Sequence, residues 1–156
     1  MIFSTTPLAS VSLAGGKHDS AKPIAATRPP AVPVRRPVGK PSADISRGEW
    51  LPSKGSALYA MLNKTQTGAT FINTKTLSTC EVSLGAMTVP GNRVRYKAAS
   101  SLGNGLVFQL LVGNEVFAEW AHTLSATDDM YSHTLTPAQV SLMASGNVSA
   151  RITATQ

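Results

Sequence analysis

The stretch GLVFQLLVGNEVFAEW, residues 105–120, decides the fold. Leu106 to Val112 is almost wholly apolar, the pattern of a strand inside a sheet. Gly113-Asn114 follows, a pair suited to a two-residue hairpin turn. Val116, Ala118 and Trp120 then alternate with Glu115, Phe117 and Glu119. That period of two predicts a second strand with Trp120 on its core side. If Trp120 is fully buried there, its truncation to alanine costs ~3–5 kcal/mol.

The same period recurs on both sides of the hairpin. Cys80, Val82, Leu84 and Ala86 share one face, against Glu81 and Ser83. Val94, Tyr96 and Ala98 oppose Arg93, Arg95 and Lys97, after a turn at Pro90-Gly91-Asn92. Leu102-Gly103-Asn104-Gly105 reads as another turn, and Ser125–Asp129 as a polar loop before a strand over 130–136. Thr136-Pro137 opens a short helical turn, because proline fits the first helical position. That turn carries Val140 and Met143 inward and stops at Gly146. Val148, Ala150, Ile152 and Ala154 form the closing strand. With a strand at Ala69–Asn73 there are seven, and no crossover helices separate them, which favours an antiparallel sandwich over a parallel α/β fold. Residues 55–64 read equally as a strand or a short helix.

The first third has a different composition. Residues 1–54 hold eight of the ten prolines, and eight basic residues against three acidic ones. The net charge of +6 over the 156 residues is therefore mostly theirs. Proline at this density removes amide donors and blocks both helix and central-strand pairing. An extended arm is expected, near polyproline II around residues 28–41. Its spaced apolar residues suit a strap lying along another surface, with Phe3, Leu8, Val32, Val34, Val38 and Trp50 as apolar contacts. Arg28, Arg35 and Arg36 supply charge to the same contact. The expected boundary lies between an arm at 1–54 and a β-module at 55–156. PAVPVR, with Pro30, Pro33 and Arg35, also fits a ligand of an SH3 groove. The four-residue spacing of prolines 29, 33, 37 and 41 drifts around a three-residue helix, so the strap is the preferred reading.

Several chemistries are set aside. One cysteine excludes an internal disulfide framework and a cysteine-rich zinc site, and Cys80, alternating with Val82 and Leu84, reads as a small buried hydrophobe. His122, Asp128, Asp129 and His133 lie near one another in sequence, but their spacing fits no metal motif and a polar loop accounts for them. The serines lack a nucleophile elbow, and Gly103-Asn104-Gly105 lacks the third glycine of a dinucleotide loop. Arg93, Arg95 and Lys97 form a basic stripe that could grip phosphate, but pairing across the sheet with Glu115 and Glu119 is the preferred reading. Nucleic-acid binding would call for more basic residues and exposed aromatics beside them. No apolar run approaches the ~18 residues of a membrane span. Ile2–Leu13 is interrupted by polar residues and has no basic residue before it, so export is not expected. No enzyme activity, cofactor or metal is expected.

Trp120–Thr155, containing YSHTLTPAQVSLMASGNVSARITAT, resembles the C-terminal half of bacterial and phage immunoglobulin-like modules. The matching positions are Thr136, Gln139, Val140, Met143, Gly146, Val148, Ile152 and Thr153. GLVFQLLVGNEVFAEW is similar to the central hairpin of the same modules, so the resemblance covers roughly residues 79–156. It implies an all-β, immunoglobulin-like antiparallel β-sandwich preceded by a long extended Pro-rich arm. By analogy it implies a virion structural protein of a tailed bacteriophage, most simply a capsid decoration protein. The partners would then be the major capsid protein, another virion protein or further copies of this chain, in the virion and with no membrane. A tail, collar or fibre-attachment component is the neighbouring alternative. A carbohydrate or cell-surface binding module, using loops near Gly103–Gly105 and Ser125–Asp129, is another.

Overall fold

A computed structural model describes residues 39–62, 71–86 and 91–156. Among the described residues there are nine strands and two short helices. The strands are β1 (Ala43–Ser46), β2 (Leu51–Pro52), β3 (Ile72–Asn73), β4 (Thr79–Ala86), β5 (Arg93–Ala98), β6 (Gly105–Val112), β7 (Glu115–Thr123), β8 (Asp129–Thr134) and β9 (Asn147–Thr155). The helices are α1 (Leu58–Leu62) and α2 (Pro137–Ser145). All strand pairs are antiparallel.

The largest sheet runs β1-β4-β9-β6-β7, and β5-β8 and β2-β3 form two-stranded ribbons. The last strand thus lies in the middle of the sheet, between β4 and β6. Side chains alternate across it as the sequence period requires. Val82, Ala150, Leu110 and Ala118 face each other in one row on the core side, and Cys80, Ile152, Phe108 and Trp120 in the next. Alanines beside Leu110 let its larger side chain fill the space between layers. On the opposite face, register aligns Glu81, Arg151, Gln109 and Glu119. The Arg151 guanidinium bonds the Glu81 carboxylate through both Nε and Nη2 at 3.0 Å, and Ser149 Oγ donates to the same carboxylate. The β5-β8 ribbon reaches the core through Tyr96, whose ring stacks on Phe108 at 4.4 Å. Leu58, Met61 and Leu62 of α1, together with Trp50 and Ile72, join the same apolar cluster.

Two local signals hold at the residues that carried them. Gly113 adopts φ +61° in the β6–β7 turn, a conformation with little steric penalty for glycine. Thr136 caps α2, accepting from the Gln139 amide while the Gln139 side chain accepts from the Thr136 amide. This reciprocal capping box leads into Pro137 at the first turn. The Gln139 side chain also donates to the Phe117 carbonyl at 3.0 Å, tying α2 to β7.

The undecided segment at 55–64 contains the five-residue helix α1. Its N-terminus is held by a residue distant in sequence: the two Asp44 carboxylate oxygens accept from the amides of Leu58 and Tyr59 at 2.9 and 2.7 Å. Helix amides that lack intrahelical partners are satisfied here by a side chain from β1. Asp44→Ala should therefore lower stability by ~1–2 kcal/mol, read from urea unfolding; an unchanged midpoint would contradict the cap.

Three expectations need correction. The break placed at residue 54 falls inside the packed module: β1 pairs with β4 and β2 pairs with β3. Pro41 is buried, and the Ser42 amide donates to the Ser83 carbonyl. Trp50, expected to touch a partner, is 4% exposed in this chain's own core, and its indole donates to the Ser78 carbonyl at 3.1 Å. The β7 alternation is broken by a bulge, where Ala118 faces Leu110 but Val116 faces Leu111. One extra residue there resets which side chains point inward. Val116 is 42% exposed, and Phe117 packs against the core instead. Trp120 is only partly buried, so its truncation should cost about half of the full-burial range, ~1.5–2.5 kcal/mol. Equal losses for Trp120→Ala and Trp50→Ala in denaturant unfolding would contradict this ranking.

Candidate functional site

The densest polar chemistry lies where the β5-β8 ribbon meets the end of β7. Tyr96 is fully buried, and its hydroxyl lies 2.5 Å from His122 Nε2 and 3.1 Å from His133 Nε2. Three strands place these groups. Tyr96 occupies the apolar face of β5, opposite Tyr131 of β8. His133 sits two residues beyond Tyr131 on the same strand, opposite Val94. His122 follows Trp120 by two residues on β7.

An aromatic frame holds the imidazoles. Trp120 stacks on His133 with centroids 4.4 Å apart and planes 13° apart. Tyr131 packs on His122 at 4.0 Å, and the two imidazole centroids are 5.3 Å apart. Burial lowers the pKa of both histidines, and the neighbouring His122 lowers that of His133 further. Burial also raises the pKa of the Tyr96 phenol, with Tyr131 adding to the shift. All three groups are thus favoured in their neutral forms. A phenol has one proton to donate, so it donates to one imidazole and accepts from the Nε2–H of the other.

Only half of the cluster seen in the sequence comes together. His122 and His133 converge, but on Tyr96 rather than on the aspartates. Asp129 accepts from Ser125 Oγ at 2.6 Å and from Thr127 Oγ1 at 3.2 Å, closing the β7–β8 loop. Asp128 lines a separate cavity. Among the described residues, no group of three or more His, Cys, Asp or Glu side chains is placed to hold a metal ion. Tyr96 was read only as an apolar-face residue. Its contact with the histidines depends on packing between two sheets, which strand period alone does not encode.

The cavity measures about 350 Å³ and opens at one end of the module. Asn73, Thr74 and Lys75 from one side and Ser100, Asn104 and Asp128 from the other supply its polar lining. The Gly103–Gly105 turn and the Ser125–Asp129 loop therefore contribute to one concave surface.

The basic stripe does not meet the acidic residues expected of it. β5 pairs with β8, placing Arg93, Arg95 and Lys97 opposite Thr134, Ser132 and Met130. Glu119 instead accepts from Gln109 across β6 and β7. Arg93 is exposed, whereas Arg95 and Lys97 are partly covered. The other expected contact residues, Phe3, Leu8, Arg28, Val32, Val34, Arg35, Arg36 and Val38, lie outside the described residues.

Cys80 is fully buried beside Val82, and burial, with Asp44 adding to it, pushes its thiol pKa up to about 12. The thiolate is the reactive form, so a thiol reagent should label Cys80 only after denaturation. Stoichiometric labelling of the folded chain on mixing would contradict this burial.

Compared with protein-family models, curated proteins and solved structures, the chain gives no match. No helix among the described residues is long and apolar enough to cross a membrane.

Proposed function

We propose that this chain is a non-enzymatic structural protein of a bacteriophage virion, a capsid decoration protein fastened to the major capsid protein by its Pro-rich basic segment. The observation that carries the reading is the contrast in composition between the described module and the segment before it. In the module, Pro41 is buried and the Ser42 amide bonds to the Ser83 carbonyl beside the edge strand β1. Residues 1–38 precede that edge and hold six prolines, with five basic residues against one acidic residue. Such a composition has little means of burying apolar surface within itself, and gains contacts by lying on a second surface. Arg28, Arg35 and Arg36 would steer it to an acidic shell and make attachment salt-sensitive.

The module has the parts on which the immunoglobulin-like resemblance rests: the β6–β7 hairpin, the capped turn at Thr136 and the closing strand β9. Its strand order departs from the two-sheet immunoglobulin arrangement by putting the last strand in the middle of the larger sheet. The proposal therefore rests on the tethered module rather than on the family likeness.

The test is mass spectrometry and immunogold labelling of purified particles from cells in which the chain is made. The chain should co-purify in many copies and label the capsid. Label confined to tail or collar would move it to the neighbouring structural role. Its absence from particles would overturn the reading. The end cavity favours a second reading, glycan recognition, which predicts retention of particle-free chain on a host glycan column.

A further inference from the structure

The Tyr96 cluster brings three ligating atoms together on three strands. A tetrahedral metal bonded at 2.0–2.1 Å sets neighbouring ligand atoms about 3.3 Å apart. The 3.1 Å from Tyr96 Oη to His133 Nε2 already fits that spacing, and the 2.5 Å to His122 Nε2 needs a small opening. Both imidazole Nε2 atoms lie within hydrogen-bond distance of that one oxygen. Trp120 stacks on the His133 ring and Tyr131 packs at a tilt on the His122 ring, so little side-chain freedom remains to be lost on binding. The phenol is buried, and both imidazoles are partly exposed.

The geometry points to a divalent transition-metal site in which His122 Nε2, His133 Nε2 and the Tyr96 phenolate oxygen are the protein ligands. The two imidazoles are borderline donors and the phenolate oxygen is a harder one. The affinity order of first-row ions predicts tighter binding of Cu²⁺ than of Zn²⁺. Binding exchanges protons without redox chemistry. The bond from metal to Tyr96 Oη forms as the phenol O–H breaks, releasing one proton to the buffer. The imidazole that carried its proton on Nε2 moves it to Nδ1 and binds through the freed Nε2 lone pair. The cost of ionising so buried a phenol is met by the positive charge placed beside it. The inference is independent of the virion role, because it needs only the folded module.

The test uses the full-length protein, stripped with a chelator and titrated with CuCl₂ and separately with ZnCl₂. Calorimetry in buffers of different ionisation enthalpy reads stoichiometry and proton release, and visible absorption reads phenolate-to-copper charge transfer. One equivalent of Cu²⁺ should bind, with one proton released and a charge-transfer band that disappears in Tyr96→Phe. His122→Gln and His133→Gln should each weaken binding by more than about tenfold, because losing a ligand costs at least as much as losing one of its supports. His18→Gln should leave binding unchanged. Absence of saturable binding would overturn the site, as would binding that both glutamine variants leave intact, or copper binding without the charge-transfer band. The band is read in the unaltered chain, so a variant that fails to fold does not shield the proposal.

Discussion

Tyr96→Ala is expected to be the most damaging single change on the ribbon, lowering stability by ~3–5 kcal/mol. The residue is fully buried, and its ring contacts Phe108 at 4.4 Å and Tyr131 at 5.5 Å. Truncation would leave a cavity where the β5-β8 ribbon meets the large sheet, and would leave two imidazoles without the hydroxyl they share. Tyr96→Phe separates the two effects. It keeps the ring and removes only the hydroxyl, so the expected loss is that of unsatisfied polar groups, ~1–3 kcal/mol. Denaturant unfolding of the two variants should therefore give a clearly larger loss for alanine. Equal losses would mean that hydrogen bonds, not packing, dock the ribbon. No loss from either would contradict the sandwich.

Trp50→Ala is expected to cost a similar ~3–5 kcal/mol, although its surroundings in the sequence read as an extended arm lying along a partner surface. The indole is buried, its Nε1 donates to the Ser78 carbonyl, and the adjacent Glu49 amide donates to Ser78 Oγ. Gly48 makes this close approach possible. Its φ is +51°, and a Cβ there would collide with the Thr79 carbonyl. The loop 47–50 thus locks against the start of β4. If Trp50→Ala weakened only attachment to a partner and left the unfolding midpoint unchanged, the arm would extend to residue 54 as first expected. A fragment 55–156 lacks β1, β2, Trp50 and the Asp44 cap, and should fail to unfold cooperatively.

The sequence was most legible where a feature depends on residues close together in it. Gly113-Asn114, the Thr136–Gln139 cap and the alternation in β4 and β9 are local patterns with local physical causes. Trp50 was misread because its core position depends on pairings with β3 and β4, more than twenty residues away, while its neighbours Pro41 and Pro52 resemble those of the arm. The β7 bulge was invisible because an inserted residue is defined by the partner strand, not by the strand that carries it. The site was half legible: His122 and His133 stood out, but Tyr96 was hidden in the apolar face of β5. The aspartates drew attention by proximity and instead close their own loop.

The central claim is that residues 39–156 fold as an independent module and that the preceding basic segment fastens it to an assembly. Co-sedimentation of fragment 39–156 and of the full chain with purified particles, with circular dichroism of each, tests it most directly. The fragment should fold and stay in the supernatant at salt concentrations where the full chain pellets. A fragment that pellets as completely as the full chain, or one that does not fold, would contradict it.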